Sequence, residues 1–84
     1  MALIIEFVER ASDRSSPHGP VTCGFHSFQF RGQAYLQLDT YGSQDREIPG
    51  KVSQTIQLDE TAARELVGII RRAFPGIERS AGES

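Results

Sequence analysis

Eighty-four residues with a formal charge of −2 and a single cysteine describe one small domain, near the lower size limit for an apolar core. With 38% hydrophobic and 24% charged residues, the composition is that of a globular chain rather than a disordered or membranous one. The negative balance excludes the large phosphate footprint of a general nucleic-acid binder but leaves room for a small one.

The opening MALIIEFVE is apolar, yet it has no basic leader, breaks at Glu6 and is far too short to cross a bilayer. The expected location is therefore the cytoplasm. Within it, Leu3 to Val8 is a β-branched and aromatic run that suits a strand, with Leu3, Ile5 and Phe7 on one face. Ala11 to Pro20, ASDRSSPHGP, holds two prolines, a glycine and three serines and predicts a mobile loop, with His18 solvated inside it.

A second strand begins near Val21. Val21, Cys23 and Phe25 alternate, but Phe28 and Phe30 fall on the opposite parity. Either a bulge near His26 re-phases the strand or the two aromatic sets face opposite ways. The turn decides. In Phe30-Arg31-Gly32-Gln33, glycine is the second of two turn residues and supplies the positive φ of a type I′ hairpin. That turn pairs Phe25 with Leu38 and Phe28 with Tyr35. One face then collects Cys23, Phe25, Leu36 and Leu38 as a core, where a small buried thiol is at home. The other collects His26, Phe28, Phe30, Tyr35, Gln37, Asp39 and Tyr41.

The third strand ends at Thr40 or Tyr41, and the loop GSQDREIPGK follows, with Ile48 pinning it and Pro49-Gly50 turning it back. A fourth strand, Val52 to Leu58, places Val52, Gln54, Ile56 and Leu58 on the core side. Ser53, Thr55 and Gln57 extend the polar and aromatic face. Asp59 is the N-cap of a helix from Glu60 to about Phe74, with Glu60 in the first turn and Arg71 and Arg72 in the last, as the helix dipole prefers. Its apolar residues span an arc of roughly 160°, wider than one sheet face normally covers. The surplus, Val67, Ile70 and Phe74, predicts a dimer interface. Residues 1–77 form the domain, and 78–84, ERSAGES being the end of the chain from Glu78, form a flexible tail.

Few constellations carry chemistry. Cys23 and His26 have a metal-ligand spacing, but structural zinc needs four ligands and a regular strand points these two apart. Gly42 to Lys51 ends in Gly-Lys, yet Val52 stands where a phosphate loop has serine or threonine and no helix follows. Asp39, Asp45 and Glu47 could furnish paired carboxylates, but Asp45 and Glu47 lie in a charged loop beside Arg46 and read more simply as solvated, and no base is placed beside a nucleophile. No cofactor or metal is expected, and the chain is not read as an enzyme.

The sheet face is what remains. Phe28, Phe30, Tyr35 and Tyr41 would stack on unpaired bases, while Arg31, Arg46 and Lys51 meet phosphates at the rim. Eight of the nine basic residues are arginine, the side chain suited to planar contacts. The alternative is a protein-interaction accessory module, for instance in a mobile-element or defence setting, whose aromatic face meets protein.

The run GKVSQTIQLDETAARELVGIIRRAF has a glycine-lysine turn, a strand ending in leucine before an acidic cap, and an amphipathic helix. From Tyr35 to Phe74 this order resembles the positive-cofactor-type single-stranded-DNA-binding proteins, including bacterial relatives. The resemblance implies a homodimer joined through the helices, with single-stranded DNA across curved sheets, Lys51 at the turn and Tyr35 as an exposed ring. Two departures are the negative net charge and the scarcity of lysine on the strands. YLQLDTYGSQDREIPGKVSQTIQLD also looks like small uncharacterised bacterial proteins. The expected fold is α+β: a mainly antiparallel four-stranded sheet backed by one C-terminal helix, paired as a homodimer. The expected partner is single-stranded DNA or RNA.

Overall fold

A computed structural model describes residues 1–12, 14–42 and 51–78. The chain is a small α+β domain with four strands, β1 (Ala2–Ile4), β2 (Cys23–Phe30), β3 (Gln33–Tyr41) and β4 (Val52–Asp59), followed by one helix, α1 (Glu60–Ala73). The sheet order is β1-β4-β3-β2. The β2–β3 and β3–β4 pairs are antiparallel, but β1 runs parallel to β4, with Ile4 opposite Leu58. The sheet is thus mixed rather than uniformly antiparallel. A long segment after β1 makes this possible, because parallel neighbours need a crossover that no tight hairpin can supply. The first strand is also shorter than the apolar run Leu3 to Val8 suggested: Ile5 to Val8 leave the ladder, and Ile5 and Val8 are exposed. No helix among the described residues is long and apolar enough to cross a membrane.

The hairpin follows the two-residue turn. Arg31 and Gly32 both have positive φ, 52° and 77°, as a type I′ turn requires. Phe25 pairs with Leu38 and Phe28 with Tyr35, so the strand needs no bulge near His26. The one register shift lies elsewhere, at Thr40/Tyr41 against β4.

The helix begins where expected. The Asp59 carboxylate accepts a hydrogen bond from the Ala62 amide at 2.8 Å, which satisfies one of the free donors of the first turn. Glu60 and Arg64 form an exposed i, i+4 pair, worth a few tenths of a kcal/mol at most. Arg71 reaches Glu78, so the ion pairing continues past the last turn. Residues 79–84, most of the expected tail, lie outside the described residues.

Burial is where expectation and fold part. Among the described residues only Leu58 and Ala62 are buried, at 1% and 0% exposure. They sit four residues apart across the junction of β4 and α1, so the helix shields the Leu58 end of the sheet and little else. Ile56, next on the same face of β4, is already 37% exposed. Cys23 and Phe25, expected in the core, are exposed, Phe25 to 78%. They lie on the edge strand β2, two strands from β4, and one short helix does not reach them. A phenylalanine so placed leaves on the order of 150 Å² in water, about 2–3 kcal/mol of burial not realised. That is a large share of a small domain's net stability.

Two substitutions follow from these backbone positions. A Cβ on Gly32 would meet nothing within 4 Å, so Gly32→Ala is expected to lower stability by about 1 kcal/mol through its positive φ alone. Gly68 sits in the middle of α1, where a Cβ would touch only Arg72 Nη1 at an ordinary 3.7 Å, and Gly68→Ala should stabilise by about 1 kcal/mol. Urea unfolding monitored by circular dichroism reads both signs.

Candidate nucleic-acid interface

Strand parity places Phe28, Phe30 and Tyr35 on the face opposite Leu58. Tyr35 pairs with Phe28 in the hairpin, while Leu36, its neighbour on the other face, pairs with Leu58. Two of these rings, Phe28 and Tyr35, form a row with His26. The His26 and Phe28 rings are 5.9 Å apart and tilted by 39°, and Phe28 and Tyr35 stack at 5.4 Å with 19° between planes. Both separations fall in the range where aromatic pairs attract. Phe28 and Tyr35 are half-buried, largely by each other and their neighbours, and the Tyr35 hydroxyl donates to Gln33 Oε1 at 3.4 Å. Phe30, nearer the turn, is exposed, with the Arg31 guanidinium carbon 5.1 Å from its ring centroid. This geometry is a cation–π contact.

Beside the rings runs a polar ladder across β3 and β4. Gln57 Nε2 donates to Gln37 Oε1 at 2.9 Å, and Gln37 Nε2 donates onward to both Asp39 oxygens, at 3.1 and 3.3 Å. Thr55 Oγ1 donates to Asp39 Oδ1 at 2.7 Å. The ladder exists because Gln37 faces Gln57 and Asp39 faces Thr55 in the β3–β4 register. It converges on a half-buried carboxylate held by neutral donors. The middle of the face is therefore acidic and repels phosphate, while its carboxylate and amides can accept from and donate to base edges.

Cations stand at the ends. Arg31 occupies the hairpin turn, and Lys51, exposed, immediately precedes β4 at the opposite end of the sheet. The nine residues of β3 between these ends span about 30 Å. The structure thus brings together Phe28, Tyr35 and His26, which was expected on this face but not in the stacking set, sets Phe30 with Arg31 at one end, and leaves Lys51 far from both. Arg46 lies outside the described residues, as does Ile48. Cys23 and His26 fall on opposite faces, which keeps that pair from sharing a metal.

Tyr41 depends on a residue with no side chain. Its amide donates to the Thr22 carbonyl at 3.0 Å, and its ring crosses Gly24, where a Cβ would lie 2.8 Å from the hydroxyl oxygen and 3.2 Å from Cε2. Glycine in an interior strand position often marks such a close approach. That was the available sequence signal, since Gly24 interrupts an otherwise regular strand. The Asp39-centred ladder was legible only as residue types on a shared face.

Of the dimer residues expected on α1, Val67 and Phe74 are exposed, at 45% and 60%, and Ile70 is half-buried. Comparison of the chain with protein-family models, with curated proteins and with solved structures yields no match.

Gly24→Ala should displace the Tyr41 ring and cost about 1–2 kcal/mol, from the clash and the lost packing. In a Tyr41→Ala background the same change should cost little, because the atoms it would strike are gone. A double-mutant cycle by chemical denaturation checks the coupling.

Proposed function

We propose that this protein binds single-stranded nucleic acid, DNA or RNA, without catalysing a reaction, using the open face that carries His26, Phe28, Tyr35 and Phe30. The observation that carries this reading is the ring row on the face opposite Leu58, beside the Gln57-Gln37-Asp39 ladder. Bases stack on rings whatever their sequence, and each such contact is worth about 1–3 kcal/mol. The acidic middle and the wide spacing of Arg31 and Lys51 make base contacts the main term and phosphate contacts a minor one. In this reading the strand lies along β3, with its backbone meeting Arg31 and Lys51 at the ends. Tyr41 supports the far end of the face through its packing on Gly24.

A second reading, a protein-interaction accessory module, is favoured by a different observation: the exposed Phe25 and Phe74 belong to neither the ring row nor the ladder. This places the protein contact on the Phe25 and Phe74 surfaces rather than on the aromatic face expected from the sequence, so the two readings respond to different variants.

Fluorescence anisotropy with a short labelled single strand separates them. Phe28→Ala and Tyr35→Ala are each expected to weaken binding about tenfold. Lys51→Ala should weaken it less and flatten the salt dependence by about 0.7 in log–log slope, the effect of one phosphate contact. Arg31 and Lys51 together should contribute about −1.4 to the wild-type slope. Unchanged affinity in both aromatic variants would overturn the proposal, and binding of a protein ligand lost on Phe25→Ser but kept on Tyr35→Ala would favour the second reading.

A further inference from the structure

The helix and the sheet each keep an apolar surface that the other does not cover. On the sheet, the Leu58 face is closed only at its Leu58 end, and Ile56 and Phe25 are 37% and 78% exposed. On the helix, Val67 and Phe74 are 45% and 60% exposed, and Ile77 just beyond it is 39% exposed. These five side chains together leave on the order of 500 Å² of apolar surface in water.

The leftover surfaces are different in kind. One is a sheet face and the other a helix stripe, the two halves from which a layered α/β core is built. A partner covering only the helix would leave Phe25 in water, and one covering only the sheet would leave Phe74. A second copy of the same chain supplies both missing halves in one symmetric contact. We therefore propose that two copies pair reciprocally, each α1 extending its apolar stripe over the partner's sheet at Ile56 and Phe25. Two copies would bury about 1,000 Å² from these side chains alone. That meets the minimum of about 1,000 Å² that a specific interface should clear, before backbone and polar atoms are added.

Such an interface is isologous and closes on itself, so it produces a dimer rather than a filament. It differs from a purely helix-to-helix joint in using Phe25, which that joint would leave exposed. It also leaves the ring row of Phe28 and Tyr35 free, because parity puts those rings on the other face. Failure of nucleic-acid binding and failure of pairing are therefore separate results.

Light scattering after size exclusion tests the proposal. The wild-type chain is expected at twice its 9.3 kDa mass at micromolar concentration. Phe25→Ser and Phe74→Ser should each shift it to monomer, with pairing weakened about a hundredfold because the symmetric contact loses the ring twice. Val8→Ser, which changes an equally exposed side chain outside both surfaces, should stay dimeric. An equal mixture of the two phenylalanine variants should regain pairs, since an intact helix then meets an intact sheet once per pair. Far-UV circular dichroism checks that each variant is folded, and Ile56→Ser replaces Phe25→Ser if that variant is not. A monomeric wild type, a Phe25→Ser variant as dimeric as wild type, or a mixture that stays monomeric would overturn the proposal.

Discussion

The two-residue turn at Arg31–Gly32 is the constraint on which the rest of this molecule depends. Side chains alternate along a strand, so a turn one residue longer would reverse the face of every β2 residue relative to β3. With both turn residues at positive φ, Phe28 stacks on Tyr35 and Phe25 stands beside Leu38. The opposition of an aromatic, polar face and an apolar face is inherited from that single local geometry. Arg31 is an unusual occupant of a left-handed position, where asparagine or glycine is more common. Its guanidinium lies over the Phe30 ring, a contact that offsets part of the backbone cost.

Burial is concentrated where β4 runs directly into α1. Asp59 both ends the strand and caps the helix, so the chain reverses with no connecting loop and brings Ala62 down beside Leu58. This economy has a consequence: a helix tied so tightly to the end of one strand protects that end and cannot also protect the distant edge strand. The sheet's apolar side is thus graded, closed at Leu58 and open at Phe25. In a chain this small, such a gradient leaves little margin, since burial must outweigh the conformational entropy of every ordered residue. The proposed reciprocal pairing would remove the gradient without adding any residue to the chain.

The other face has its own division of labour. Among the described residues, its rings lie together, its hydrogen-bonding groups converge on Asp39, and its cations are held apart at the two ends of β3. In the proposed reading, a surface arranged in this way would favour flat, polar-edged groups over dense negative charge. The net charge of −2 points in the same direction, because a chain with an acidic rather than a basic excess gains little from counterion release.

Much of this was legible in the residues themselves. Turn chemistry, strand alternation and helix capping act over a few neighbouring residues, so Arg31-Gly32, the Phe28–Tyr35 pairing and the Asp59 cap could be read without coordinates. The direction of β1, the exposure of Cys23 and Phe25, and the crossing of Tyr41 over Gly24 could not. Each depends on which distant segments meet, and apolar character alone does not say whether a cover is within reach. Local geometry determined which side chains share a face; only the tertiary structure decided which of those faces its own helix could close.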